Sequence, residues 1–173
     1  MRRIKLIFVL LCFTSGTLPT MWAQGSMGAR VTDTGTLQLL SKSRTLTITL
    51  ADLKPMPHIT VTVHNPHTNV DETYSGVRLA DLLTKVGAPL GHDLHGEALA
   101  NYVVAIGSDG YKTVLALGEV DPSFHPGEVI VADAIGNERL DAHNGPLKLV
   151  VSEDKRPARW VRNLTTIELK SAQ

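Results

Sequence analysis

The sequence predicts an α+β domain in which β-strands predominate. Leu46, Ile48 and Leu50 alternate with threonines, which is the two-residue period of a strand with one buried face. Residues 59–63 repeat this alternation with isoleucine and valine. The clearest helical spacing lies at residues 77–86, where leucines and a valine recur every three or four positions before Gly87 ends the helix. A strand-rich domain with few helices follows from this balance.

The remaining elements follow from apolar runs and the turns between them. An Asp-Gly pair at Asp109 and Gly110 separates two apolar runs, which is typical of a β-hairpin. A short helical turn is predicted at 51–56 and a loop at 65–69. The further predicted strands are 102–106, 111–117, 129–132, 147–151 and 160–169.

The first 23 residues have the order of a secretory signal peptide. A basic start, a short apolar run at 6–13 and small residues up to Ala23 predict cleavage between Ala23 and Gln24. The apolar run is shorter than the ~20 residues needed to span a bilayer. We therefore expect a signal peptide at 1–23, a flexible lead-in at 24–35 and one domain at 36–173, located in the periplasm or secreted and without membrane attachment after cleavage.

Charge and cysteine content exclude several classes of function. The chain has 17 basic and 17 acidic side chains, and removal of residues 1–23 leaves a net charge of −3. Nucleic acid is therefore not an expected partner. The single cysteine, Cys12, lies in the predicted signal peptide, so the mature chain lacks disulfides, thiolate metal ligands and cysteine nucleophiles.

Four segments, taken in order, resemble the sulfite oxidase-like, oxidoreductase molybdopterin-binding family. They are 74–83 (YSGVRLADLL), 108–111 (SDGY), 144–151 (NGPLKLVV) and 159–167 (RWVRNLTTI). They are similar to the family's aromatic-x-Gly-Val-x-Leu helix start, its Asp-Gly-Tyr hairpin, its Gly-Pro-x-Arg-Leu-Val-Val strand and its closing Lys-Trp strand. The resemblance is best to short, exported, stand-alone members, and it implies the sulfite oxidase-type molybdopterin-binding fold.

The same resemblance implies a cofactor site with one important difference. In the larger enzymes of the family, two pterin sulfurs and one cysteine thiolate bind molybdenum. The cysteine is expected just after the strand that precedes the Gly-Val-x-Leu segment, where this chain has His64. Imidazole is a harder and neutral donor. Molybdopterin is the cofactor that the resemblance implies, and His64 is a candidate cofactor-binding residue. Because His64 replaces the thiolate, we expect less than full occupancy by molybdenum.

The histidines allow a metal site and a simpler interpretation. His64 and His67 would give two ligands across a loop, completed by Asp71 or Glu72. The favoured interpretation is a polar strand end with exposed imidazoles, because the spacing is not that of a zinc site. No metal-ligating or catalytic residue is therefore assigned.

A basic cluster near the C-terminus supplies the other candidates. Arg156, Arg159 and Arg162 suit the phosphate or carboxylate of an anionic ligand. The alternative is a solvated loop paired with the neighbouring Glu153 and Asp154. The hydroxyl of Tyr111 is a further candidate, as a hydrogen-bond donor to a bound oxyanion.

These observations predict a binding protein of molybdopterin-domain type. The expected role is non-catalytic, with a small anionic ligand or an exported protein partner in the cofactor cavity. One alternative is a molybdopterin-dependent oxidoreductase with a non-cysteine metal environment. The other is a structural or delivery subunit of an exported complex.

Overall fold

Two β-sheets form the fold, and each is built from strands that alternate apolar and polar residues. The structure is a computed structural model, and it describes residues 35–172. The strands within this range are β1 (Thr36–Leu40), β2 (Thr45–Thr49), β3 (His58–Asn65), β4 (Val70–Arg78), β5 (Asn101–Gly107), β6 (Lys112–Ala116), β7 (Val129–Ile135), β8 (Glu138–Arg139), β9 (Lys148–Val151) and β10 (Leu164–Ser171). Three short α-helices accompany them within the same residues, α1 (Leu50–Leu53), α2 (Leu79–Thr84) and α3 (Leu117–Val120).

The first sheet has the strand order β2-β1-β10-β5-β6, and the second has β3-β4-β7-β8 with β9 also paired to β7. Strand β1 runs parallel to β10, while the other strand pairs are antiparallel. Buried side chains from both sheets belong to one hydrophobic core that includes Leu37, Tyr74, Leu79, Val131 and Ile167. The predicted α+β, predominantly β fold is confirmed.

Several element boundaries differ from the sequence prediction. Val77 and Arg78 still belong to strand β4, and the helix begins at Leu79 because Val77 pairs with Val131 of β7. Strand β1 was not predicted, although Leu37 and Leu39 alternate with polar residues. The last strand was predicted over residues 160–169 and is observed at Leu164–Ser171, and a 3₁₀ turn at Pro157–Arg159 precedes it.

The described residues belong to one compact unit. The predicted signal peptide at 1–23 and most of the predicted lead-in lie outside the described residues. Within residues 35–172, no helix is long and apolar enough to cross a bilayer.

Gly76 occupies the closest approach between β4 and β7, where the pairing register shifts after Ser75. A Cβ atom at this position would lie 2.2 Å from the Val131 carbonyl oxygen and 2.5 Å from the Ala132 Cα. Both neighbours are backbone atoms of a central strand, so they cannot rotate away. The glycine in the Gly-Val-x-Leu segment is therefore required by sheet packing.

We predict that Gly76→Ala lowers the free energy of unfolding by about 3 kcal/mol, because overpacking against backbone forces the strands apart. Gly118→Ala is the matched control, since a Cβ there meets no atom within 4 Å. The control should raise stability by up to ~1 kcal/mol through its position in α3. Urea unfolding of both variants measures the difference, and equal stabilities would contradict the packing role.

Candidate functional site

Five chain segments line a cavity of about 600 Å³. They are the β3–β4 hairpin, the β5–β6 turn, the end of β7, the loop that leads into β9 with the start of that strand, and the segment between β9 and β10. This volume falls within the range of ~300–1,000 Å³ usual for small-molecule sites. The cavity is lined by both polar and apolar groups, so it suits an organic ligand with charged substituents.

Lys148 forms the floor of this cavity. Only 7% of the residue is exposed, and its ammonium donates to the Tyr74 hydroxyl at 2.8 Å and to Asn144 Oδ1 at 3.1 Å. The Nζ atom also lies 4.6 Å from the centre of the Tyr74 ring and 5.5 Å from that of Trp160. Burial lowers the pKa of Lys148, while these π faces favour the cation.

A chain of hydrogen bonds connects Lys148 to the hairpin. The Tyr74 hydroxyl accepts from Lys148 and donates to Glu72 Oε2 at 2.7 Å. The other oxygen of Glu72 accepts from Asn65 Nδ2, also at 2.7 Å. Burial and the neighbouring Glu72 raise the pKa of Tyr74, so its hydroxyl remains protonated. Both oxygens of the Glu72 carboxylate are thus occupied by neutral donors.

Arg162 lies at the rim of the cavity and is exposed. Its guanidinium contacts Nε2 of His143, which also lines the cavity. Asn163 has a positive φ of 47° and donates from Nδ2 to the His143 carbonyl at 3.0 Å. The neighbouring asparagine thereby holds the loop of His143 beside Arg162.

Tyr111 also lies at the cavity, in the turn between β5 and β6. Its backbone N–H donates to Asp109 Oδ1 at 2.9 Å, and its hydroxyl donates to the Ala158 carbonyl at 2.5 Å. The hydroxyl proton is therefore used within the protein, whereas the sequence predicted that it would be donated to a ligand. The hydroxyl oxygen can still accept a hydrogen bond.

The basic cluster predicted near the C-terminus is divided by the fold. Arg159 forms a fork on Asp154, with bonds of 2.6 and 3.0 Å, and reaches Glu119 at 2.8 Å. Hydrogen bonds to Asp154 and Glu119 raise the pKa of this arginine. Arg156 is exposed and does not line the cavity. Of the three predicted arginines, the structure brings Arg162 to the cavity.

His64 lies on the face of β3 that points away from the cavity. Val61 and Val63 are buried, and Asn65 shares their face, so the alternation along the strand directs His64 outwards. Its Nδ1 lies 2.9 Å from Asp71 Oδ1, in a pair whose two side chains are 56% and 69% exposed. The structure does not bring His64 to the cavity, and the residue at the end of β3 that lines it is Asn65.

The two histidines considered for a metal site are also separated. His67 lines the cavity, whereas His64 pairs with Asp71 outside it. Among residues 35–172, no group of three or more histidine, cysteine, aspartate or glutamate side chains is arranged to hold a metal ion. The cofactor-binding roles assigned to His64, Tyr111, Arg156, Arg159 and Arg162 remain predictions.

Sequence reasoning did not select Asn65, Tyr74 or Lys148, and it considered Glu72 only as a ligand of a possible metal site. Lys148 carried a usable signal, because a lysine inside the apolar strand LKLVV must find partners when the strand is buried. Tyr74 was noted only as the aromatic residue before Gly76. The connection between these residues depends on pairings between distant strands, which no local pattern indicates.

Comparison with known proteins identifies the family. The sequence model of the family described as oxidoreductase molybdopterin binding domain matches residues 32–173, and the chain belongs to this family. Among solved structures, the sulfane dehydrogenase SoxCD from Paracoccus pantotrophus is similar in fold, with a TM-score of 0.61 and 18% identity. The match covers 79% of this chain and 39% of the SoxCD chain, so this chain spans about two fifths of that length. A comparison with curated proteins gave no match.

The cavity fits only part of the cofactor that the family implies. Lys148 and Arg162 are suited to an anionic organic group. A thiolate ligand for molybdenum is absent from the described residues, which contain no cysteine. The donor at the end of β3 is the Asn65 amide, whose Nδ2 bonds Glu72 and whose Oδ1 accepts from His67 N–H at 2.9 Å. The donor set therefore does not fit the metal centre of the larger enzymes.

We predict that Tyr74→Phe lowers the free energy of unfolding by about 2 kcal/mol, because it removes an acceptor from the buried Lys148 and a donor from Glu72. Tyr102→Phe is the control, since the Tyr102 hydroxyl makes no hydrogen bond to another described residue. The control should change stability by less than ~0.5 kcal/mol. Chemical denaturation compares the two variants, and equal losses would contradict the role given to the Tyr74 hydroxyl.

Proposed function

We propose that this chain is an exported, non-catalytic member of the molybdopterin-binding domain family that binds a small anionic ligand. The observation that carries the proposal is the donor set of the cavity: an asparagine amide stands at the end of β3, and the described residues contain no thiolate. The cavity nevertheless retains a volume suitable for a ligand. Fold and chemistry are separable properties, so a family fold can keep its cavity after its reaction is lost.

The absence of thiolate argues against oxygen-atom transfer at molybdenum. Thiolate is a soft, charged ligand, and neither an amide nor an imidazole replaces its electron donation. The two polar atoms of Asn65 are also already hydrogen-bonded within the protein. A ligand held through its charged groups requires neither a thiolate nor a free amide at Asn65.

The proposed function predicts a low metal content. Protein purified from a host that makes the cofactor should contain well under one molybdenum atom per chain, because residues 35–172 supply no thiolate. It should neither oxidise sulfite nor reduce sulfoxides. Elemental analysis by mass spectrometry measures the metal. One molybdenum per chain in the unmodified protein would contradict the proposal and favour the oxidoreductase alternative.

A pair of cysteine variants sharpens this experiment. Asn65→Cys introduces a thiol on the cavity face of β3, whereas His64→Cys introduces one on the opposite face. The two variants differ by one residue along the same strand, so expression and handling are closely matched. A higher molybdenum content in Asn65→Cys than in His64→Cys would assign the low content of the unmodified protein to its missing thiolate.

The second prediction concerns export. The basic start, the short apolar run and Ala23 support cleavage between Ala23 and Gln24. The intact mass of the periplasmic or secreted protein should therefore correspond to a chain that starts at Gln24 or within a few residues of it. A protein that retains Met1 and fractionates with membranes would contradict export as a processed protein.

A further inference from the structure

Lys148 differs from every other lysine that the structure describes. The residue is 7% exposed, whereas the other lysines among residues 35–172 lie at the surface. Its Nζ atom bonds a phenol hydroxyl and an amide oxygen, and within the same residues no carboxylate lies at ion-pair distance from it. A lysine that is removed from water and lacks a carboxylate partner is in the environment that makes its amine a nucleophile.

The charged and titratable groups around Lys148 act on its pKa in both directions. Burial lowers the pKa most, and the charge of Arg162 lowers it further. Glu72 and Asp141 act in the opposite direction, while Tyr74 stays neutral because burial raises its own pKa. The balance lies below the ordinary pKa of lysine, so more of this amine is unprotonated at neutral pH than in a free lysine.

The hydrogen bonds of Lys148 form a path for its proton. The Tyr74 hydroxyl accepts from Nζ at 2.8 Å and donates to Glu72 Oε2 at 2.7 Å. A shift of one proton along each bond converts the ammonium into an amine and the carboxylate into a carboxylic acid. Tyr74 gives one proton and receives one, so it remains neutral. Side chains at these distances can act as general acid and base for a reaction at Nζ.

The cavity provides space for a reaction partner beside this amine. Lys148 lines the cavity of about 600 Å³, which is large enough for a small organic molecule. The ring centres of Tyr74 and Trp160 lie 4.6 and 5.5 Å from Nζ, and the two rings meet edge to face. Aromatic surface therefore shields the amine within the protein, and the cavity is the side from which a ligand can reach it.

We propose that Lys148 captures an aldehyde or ketone in this cavity as a reversible Schiff base. The unprotonated Nζ attacks the carbonyl carbon, a C–N bond forms, and a proton moves from nitrogen to oxygen to give a carbinolamine. Glu72 returns its proton through Tyr74 to the new hydroxyl group, which leaves as water. The C=N bond that results keeps one N–H and the positive charge. The ammonium and the carbonyl compound are thus converted into an iminium and water, without an oxidant or a reductant.

This inference goes beyond the proposed function. It adds a covalent bond to the binding of a ligand and assigns that bond to one atom, Nζ of Lys148. Water reverses the step and releases the carbonyl compound unchanged, so the protein remains non-catalytic.

Reductive trapping of the purified protein with benzaldehyde and sodium cyanoborohydride tests the capture. The hydride reagent converts the C=N bond into a stable secondary amine, and peptide mapping by mass spectrometry locates it. At about pH 7, Lys148 should be labelled at least about tenfold faster than the exposed Lys112, a modest effect for a positioned acid–base pair. Both lysines belong to the same molecule, so this comparison requires no variant.

The pH dependence of labelling is a second measurement. Only the unprotonated amine reacts, so the rate rises with pH and levels off above the pKa of the amine. Because the pKa of Lys148 is lowered, its rate should level off at a lower pH than that of Nα-acetyllysine amide under the same conditions. A profile that coincides with that of the free amino acid derivative would contradict an activated amine.

Two pairs of variants test the residues of the path. Lys148→Arg keeps a cation that cannot form a Schiff base and should lose the fast label, whereas Lys112→Arg should keep it. Tyr74→Phe retains the amine and interrupts the proton path, so labelling of Lys148 should slow about tenfold or more. Tyr102→Phe is the control and should label within about twofold of the unmodified protein. Circular dichroism at the assay temperature verifies that each variant is folded.

The unmodified protein decides the proposal even if a variant fails to fold. Labelling of Lys148 no faster than that of Lys112 would overturn the Schiff base, and equal rates in folded Tyr74→Phe and Tyr102→Phe would overturn the proton path. Stoichiometric molybdenum would overturn the non-catalytic function instead, so the two failures are distinguishable.

Discussion

The burial of the Lys148 ammonium is the constraint on which the arrangement of the cavity depends. A cation removed from water needs compensating partners, and three separate parts of the chain supply them. Tyr74 comes from β4, Asn144 from the loop before β9, and Trp160 from the segment before β10. Tyr74 and Trp160 also pack edge to face at 6.0 Å, so the floor of the cavity is continuous with the hydrophobic core.

This arrangement explains how the donor at the end of β3 can differ while the fold of the family is kept. The close contact of β4 and β7 at Gly76 fixes the position of Tyr74 two residues earlier. These contacts are satisfied whether or not the end of β3 carries a thiol. Asn65 therefore lies at a point where the side chain changes the chemistry of the cavity without changing the packing that forms it.

The sequence predicted the fold class well because alternation and turn residues act locally. It missed β1 and β4 as strands, and each of them pairs on one side with a strand that is distant in the chain, β10 and β7 respectively. The prediction of site residues failed where the sequence does not show which way a side chain points, although the residue types were suitable. Along β3 a shift of one position exchanges the two faces, which is why His64 points outwards and Asn65 inwards. The sequence does not distinguish Arg159 from Arg162 as an anion-binding residue. The structure does, because Arg159 is paired with Asp154 and Glu119.

The β3–β4 hairpin forms one wall of the cavity, and this wall can open locally while the rest of the domain stays folded. Strand β4 pairs with β7 only from Tyr74 onwards, and the Thr73 carbonyl accepts from Gly136 N–H, so residues 70–72 pair with β3 alone within the described chain. A two-stranded ribbon is only marginally stable by itself. Local opening of this wall therefore breaks few hydrogen bonds and leaves the sheet intact. Entry and exit of a ligand would thus be governed by the fluctuations of a short ribbon, and its residence time would report on the ordering of that ribbon.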